Sequence, residues 1–445
     1  KGLYTIPEFV EQRYSTTLKT ILAVFWIALY VFVNLASVLY LGSLALETIM
    51  GIPMVYGVIG LSLFAAAYSL YGGLSAVAWT DVIQVIFLVF GGLITSYLAL
   101  NTVSDGQGVL EGLKVVYESV PEKFVMILDK SNPEYANLPG LGVLVGGLWV
   151  ANLYYWGFNQ YIIQRTLAAK SLRESQKGII LAAFLKIIIP VIVVVPGIAA
   201  YVMVNDAEIL NRLGDAGLQN LPTLEQADKA YPWLLQFLPT GLKGVAFAAL
   251  TAAVVSSLAS MLNSTSTIFT MDIYKQYINK NATDKKTVNV GRISAAVALG
   301  IACVMAPLLG GIDQAFQFIQ EWTGLVSPGI LAVFMLGLFW KKTTNRAAIV
   351  GALVSIPIAF YFKVAPSGWS DSAIFADVPF LDQMGYTTLL TMLVIVLVSL
   401  NQNKGKDDPK GIPLTKGLFN TSAKFNIGAF AAMIIIATIY ALFWN

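Results

Sequence analysis

The stretch "FAALTAAVVSSLASMLNSTSTIFTMD" (247–272) carries no charge before Asp272, yet it holds nine serines and threonines. On a helix of 3.6 residues per turn, Ala253, Ser256, Ser257, Ser260, Ser264 and Thr267 fall on one stripe. Two chemistries suit such a stripe. Small residues let helices approach closely, with each hydroxyl bonding back to a carbonyl one turn earlier. Alternatively, neutral oxygens hold a hard monovalent cation such as Na+, loosely enough for it to leave again. Hydroxyls do not titrate near pH 7, so a site of this kind does not serve protons. Ser256, Ser257 and the Ala253 carbonyl supply part of a shell, and another segment must supply the rest.

Three further features carry chemistry. Lys186, in "LAAFLKIIIPVIVVVPG" (181–197), is a charge inside an apolar run. Such a charge marks a functional position unless it snorkels to the membrane edge. Asp81, in "SAVAWTDVIQV" (75–85), is either an interfacial anion or part of an ion route. "WVANLYYWGFNQYIIQRT" (149–166) crowds Asn152, Tyr154, Tyr155, Trp156, Asn159 and Gln160 around Gly157. Glycine with amides in mid-span predicts an interrupted helix whose backbone lines a cavity. A ring face with amide donors and acceptors suits a sugar; it also suits an amino acid or a nucleobase.

The elements that position these residues are membrane helices. The chain is 57% hydrophobic and 12% charged, with a mean hydropathy of +0.71, against about a quarter charged in soluble domains. Uncharged runs of about 20 residues, each enough to cross the hydrocarbon, recur throughout. The strict alternation of a β-barrel is absent. The fold class is therefore all-α and polytopic, a single membrane domain over 1–445. Eleven spans are expected: 17–50, 53–72, 75–103, 138–166, 174–204, 243–277, 288–309, 314–340, 346–364, 384–401 and 425–445. The connections 165–177, 272–292, 341–346 and 401–424 hold 17 Lys and Arg, against 7 in 104–137, 205–243 and 363–383. The positive-inside rule then places residue 1 on the cytoplasmic side and Asn445 outside. "LEGLKVVYESV" (110–120) has amphipathic helical spacing, and "NQNKGKDDPKG" (401–411) reads as a solvated hinge. The net charge of +3 suggests no nucleic-acid partner. Cys303 is the sole cysteine and there is no histidine, so neither a disulfide nor a nucleophile–base or metal constellation is on offer. No span repeats a filter-like motif, as a channel would need. The chain opens at Lys1 without methionine, from which a missing N-terminal stretch is expected.

"YSLYGGLSAVAWTDVIQ" (68–84), "NLYYWGFNQYIIQR" (152–165), "AAVVSSLASMLNS" (252–264) and "GLVSPGILAVFMLGLFWKK" (324–342) resemble the sodium/solute symporter family, end to end and closest to its bacterial sugar-transporting members. The resemblance implies a LeuT-type inverted-repeat fold in a bacterial inner membrane. Residues 17–103 would be the last three helices of the first repeat, 138–340 the five-helix second repeat, and 346–445 peripheral. It implies sodium-coupled sugar symport, galactose or glucose, with sodium as the coupling ion and no enzymatic step. Other family members carry amino acids, sialic acid or iodide. The sodium ligands fall on the Ala253 carbonyl and the hydroxyls of Ser256 and Ser257, and Asp81 lies on the sodium exit path. Sugar contacts fall on Asn152, Lys186 and Gln320, with Tyr155 stacking on the ring as inner gate and Phe316 as outer gate. Glu321 receives no role, and Trp156 lines or packs the cavity. The family's first broken helix and the glutamate-bearing helix after it have no counterpart here. Which sugar, how many sodium ions and what oligomer stay open.

Overall fold

The computed structural model describes residues 5–311, 314–364, 378–413 and 420–444, without the side chains of 70–80, 216 and 225. Those of 70–80, within the motif at 68–84, lie outside the described residues. Every regular element described is helical. In chain order the helices are α1 (Ile6–Arg13), α2 (Thr16–Met50), α3 (Met54–Val103), α4 (Val109–Ser119), α5 (Leu141–Val145), α6 (Gly147–Phe158), α7 (Gln160–Leu167) and α8 (Leu172–Asn205). There follow α9 (Ala207–Leu218), α10 (Ala230–Leu235), α11 (Thr240–Ile278), α12 (Asp284–Gly311), α13 (Ala315–Phe339), α14 (Asn345–Val364), α15 (Phe380–Asn403) and α16 (Ala423–Leu442).

Among the described residues nine helices are long and apolar enough to cross a membrane, and a tenth candidate is a pair bent by 75° at Gly146. The remaining expected span, 53–72, corresponds to the shorter apolar helix Met54–Ser69. One boundary differs. The stretches read separately as 53–72 and 75–103 run together as α3, 50 residues of continuous helix. Gly72 and Gly73 weaken a helix but keep their N–H groups, so they do not by themselves end one. Elsewhere the stops are conventional chemistry. Ser15 caps α2 by accepting from the Leu18 N–H, and Gly51 closes it at φ 67°, the left-handed region that glycine enters freely.

The hydroxyl-bearing α11 lies at the centre, packed on α2, α3, α7 and α12. Helices α13, α14 and α15 pack on one another, and α6 is wedged against α13 and α15. That wedge depends on Gly147, where a Cβ would collide with the Leu381 carbonyl oxygen. The main core joins Leu18, Trp26, Leu39, Tyr154, Leu258, Leu262 and Phe334. The residues 401–411 are more than a solvated hinge. Asp408 lies 3.6 Å from the buried Arg13 guanidinium, and the Lys410 ammonium donates to the Tyr14 carbonyl at 2.8 Å. The segment thereby holds α1 against the bundle.

Candidate solute and cation site

The interruption expected near Gly157 falls two residues later. Helix α6 ends at Phe158, Asn159 is extended (φ −85°, ψ 117°), and α7 begins at Gln160. Exposed backbone groups at such a break need partners. The Tyr161 N–H donates to the fully buried Tyr30 oxygen at 3.4 Å, the Tyr30 hydroxyl in turn donates to Asn159 Oδ1, and the Gln160 side chain accepts from the Ile6 N–H of α1 at 2.7 Å. An amide pair in mid-span therefore has a structural task as well as a solute-facing one.

Beside the break, the structure brings together three of the residues singled out in the sequence. Lys186 Nζ, from α8, donates to Asn152 Oδ1 at 3.4 Å and lies 4.7 Å from the centre of the Trp156 ring. Among the described residues no carboxylate pairs with it. Its charge is met by an amide dipole and a ring face instead, both favourable but weaker than an anion. Tyr155 is half-buried, edge-on to Trp156 at 5.3 Å, and its hydroxyl bonds that of Tyr161 at 2.7 Å. An ammonium, an amide and the face of one ring thus meet, with Tyr155 standing edge-on beside them.

Gln320 is not bonded into this group. It is half-buried on α13, which packs on α6, and no side-chain hydrogen bond engages it among the described residues. Phe316, one turn earlier, is 69% exposed. Glu321, left without a role by the sequence, pairs with Lys363 of α14 at 2.7 Å and accepts from Gln317 at 3.2 Å. These residues line a separate cavity of about 260 Å³ between α13, α14 and α15.

On α11 the stripe divides by partner. Ser264 and Thr267 bond back to the carbonyls of Ser260 and Asn263 at 3.0 and 2.7 Å, which is packing chemistry. Ser260 does the same to the Ser256 carbonyl at 2.9 Å and also accepts from Arg165 Nη2 at 2.7 Å. Ser256 instead donates to Asp81 Oδ1, which leaves its oxygen lone pairs free and more basic. Ser257 is half-buried and its hydroxyl has no bonding partner among the described residues. Ala253 lies one turn before Ser257 on the same face. So the oxygens of Ser256 and Ser257 remain open to a cation, whereas those of Ser260 and Ser264 are engaged.

Arg165 is the residue that the sequence reading passed over. Its guanidinium pairs with Asp81 at 2.7 Å, bonds Ser260, and donates to the Tyr161 carbonyl at 3.1 Å. The available signal was the coexistence of one arginine ending a broken span and one aspartate at another span's end. Charges so placed need each other. The pair borders a groove of about 950 Å³ otherwise walled by apolar side chains such as Val85, Ile86, Phe90 and Leu181.

The chain as a whole is similar to known proteins. A sodium/glucose cotransporter of Vibrio parahaemolyticus is 63% identical over 444 residues, covering 100% of this chain and 80% of that protein. A sodium/myo-inositol cotransporter 2 of Bos taurus is 31% identical over 375 residues, covering 79% of this chain. The chain spans about half of that relative's length, 54%. A solved structure of a Na+-coupled sialic acid symporter, substrate-bound and outward-open, matches with a TM-score of 0.72 over 89% of this chain and 76% of its own, at 24% identity. That likeness establishes the fold, which is of the LeuT type. Residues 1–355 match the family described as Sodium:solute symporter family, and the chain belongs to it.

Proposed function

We propose that this chain performs sodium-coupled symport of a sugar, galactose or glucose, by alternating access. The observation that carries the reading is the convergence of Lys186, Asn152, Trp156 and Tyr155 beside a helix break. An ammonium and an amide hydrogen-bond hydroxyls, while a ring packs on the apolar face of a pyranose. The close similarity to a sodium/glucose cotransporter points the same way. Ala253, Ser256 and Ser257 form this chain's share of the sodium site, with Asp81 on the way out. Gln320 is the remaining sugar contact, Tyr155 the inner gate and Phe316 the outer one. No bond chemistry is involved.

Sodium binds first and draws α11 toward the segment completing its shell, which favours the form that accepts sugar. Sugar entry closes the outer side. Rocking of one helix group on the other then opens the cytoplasmic side, and the sugar leaves past Tyr155. Sodium drives the cycle only through its different affinity for the two states. Residue 1 lies in the cytoplasm and the C-terminus outside, as the distribution of Lys and Arg over the connections supports. Residues 138–340 act as one repeat, 17–103 as part of the other, and 346–445 as periphery.

One observation favours a second reading. Lys186 has no anionic partner among the described residues, which suits a solute that brings a carboxylate. Uptake into proteoliposomes under an imposed Na+ gradient separates the two. Labelled galactose or glucose accumulates if the first reading holds, and labelled sialic acid or an amino acid if the second does. Accumulation driven by a proton gradient alone in Na+-free buffer defeats both, because the hydroxyl ligands do not titrate.

A further inference from the structure

One residue touches both the solute gate and the ion-paired region of α11, and neither the sequence nor the family likeness assigned it a role. Tyr161 is buried at the start of α7. Its hydroxyl bonds the Tyr155 hydroxyl at 2.7 Å, and its ring stands edge-on to Tyr155 at 6.0 Å and to Tyr30 at 5.7 Å. Its N–H donates to the Tyr30 oxygen at 3.4 Å. Its carbonyl accepts from Arg165 at 3.1 Å, and Arg165 holds Asp81 and Ser260. A gate that swings by one rotamer change is defined by what holds it in the starting rotamer. Here that holder is a second tyrosine, fixed on three sides. Tyr30, in a π-helical stretch of α2 (Leu29–Leu35), anchors it from a different element, and such widened turns often serve functional sites.

We infer that Tyr161 is the positioning residue of the Tyr155 gate: its hydroxyl latches the gate shut, and its carbonyl fastens that latch to the Arg165–Asp81 pair beside the sodium-ligand serines. This deepens the symport reading and rests on it. The latch predicts a rate effect more than an affinity effect, since the Tyr155 ring face stays in place when only the hydroxyl bond is lost. Adjacency alone is not coupling, so the test must measure coupling.

The experiment uses reconstituted protein loaded with labelled galactose, with efflux followed in the wild type, Tyr161→Phe, Tyr155→Phe and the double variant. Each Phe keeps its ring and removes one half of the same hydroxyl bond. Both single variants should release sugar roughly 2- to 10-fold faster, the worth of one neutral hydrogen bond. The double variant should be no faster than either, because the bond is lost only once. Sugar affinity should match the wild type in Tyr161→Phe, which leaves the stacking ring itself untouched. If the two effects multiply, or Tyr155→Phe accelerates efflux while Tyr161→Phe does not, Tyr161 is packing only and the latch is refuted. Should Tyr161→Phe fail to fold, Tyr155→Phe still decides: unchanged efflux overturns the latch. Absence of Na+-dependent sugar transport in the wild type would refute the symport reading instead, a result separate from any difference among variants.

Discussion

Two cations lie beside the candidate site, the half-buried Arg165 and the more exposed Lys186, and they are housed in opposite ways. Arg165 meets a carboxylate at 2.7 Å, a hydroxyl and a carbonyl, so its charge is neutralised and both terminal nitrogens are used, Nε alone having no partner among the described residues. Lys186 meets one amide oxygen at a long 3.4 Å and one ring face. Placing either charge in a membrane is costly. The first cost is offset within the protein, and under the proposed function the second is left partly open for a ligand to offset. The difference separates a structural charge from a receptive one, and it predicts that removing the two will have different consequences.

The largest effect should come from Lys186→Ala. A hydrogen bond from a charged donor is worth about 1.5–3 kcal/mol, or roughly 10- to 150-fold in sugar affinity. Membrane insertion should be retained, because deleting an unpaired charge relieves a cost. Unchanged sugar binding in a flow-dialysis or scintillation-proximity assay would mean that Lys186 merely snorkels. The ring beside it is tested by Tyr155→Ala, which should lose most uptake while Tyr155→Phe retains it. If Tyr155→Ala transports normally and Asn152→Ala fails, the sugar is held by its polar edge alone.

Arg165 should behave in the opposite manner. Asp81→Ala strands a guanidinium and should destabilise the protein by about 1–2 kcal/mol, a figure kept low because the paired side chains are 33% and 25% exposed. Removing both charges, in Asp81→Ala with Arg165→Met, should recover most of that loss in a detergent thermal melt. A double variant as unstable as the sum of the singles would show that the two charges do not work as a pair.

The extent to which this was legible in the sequence follows from how far each partner lies along the chain. The spans, the amphipathic α4 and the helix break are local signals, and the structure has most of them, with two spans fused and the break two residues on. The Asn152, Tyr155 and Trp156 cluster was visible for the same reason, since it occupies barely one turn. The stripe on α11 was visible as a period, but its division was not. Whether a serine bonds its own helix or Asp81 depends on α3, 175 positions away. Arg165 was overlooked because its three partners come from three helices. Fusion of the second and third expected spans was missed because a glycine pair reads as punctuation although it breaks no hydrogen bond.

The α11 stripe sharpens the comparison at a smaller scale. Ser257 has a free hydroxyl and Ser264 a satisfied one, so both can be truncated to Ala in the same helix. Ser257→Ala should raise the Na+ concentration for half-maximal uptake roughly fivefold, about 1 kcal/mol for one lost oxygen ligand, with little change in stability. Ser264→Ala should leave Na+ dependence unaltered. Equal impairment by the two would reduce the whole stripe to packing.

The smallest effect belongs to a carboxylate outside the spans that, unlike Asp81, has no cationic partner among the described residues. Asp228, in the short 3₁₀ turn Leu224–Lys229, accepts from the Ala315 N–H at 2.9 Å and so caps α13, the helix that bears Phe316 and Gln320. Burial pushes its carboxyl above the ordinary 3.8, and the bond from Ala315 only partly opposes that shift. Tyr40 of α2 lies near enough to feel the charges of both Asp228 and Glu47, and none of these groups offers a positive charge. A carboxyl raised in the folded state binds more protons folded than unfolded. Its contribution to stability is therefore greatest below the ordinary value and declines as pH rises through the folded one. Asp228→Asn keeps an acceptor and removes the buried charge, so it should melt slightly higher than wild type at neutral pH, by well under about 1 kcal/mol after solvent screening. The gap should close as the buffer is acidified toward 3.8, where the aspartic acid is neutral too. A variant that melts lower at neutral pH would show that the carboxylate's attraction to the helix N-terminus outweighs its burial. Asp228 would then resemble Asp81 after all, an anion held by a positive partner, with the helix dipole in place of a guanidinium.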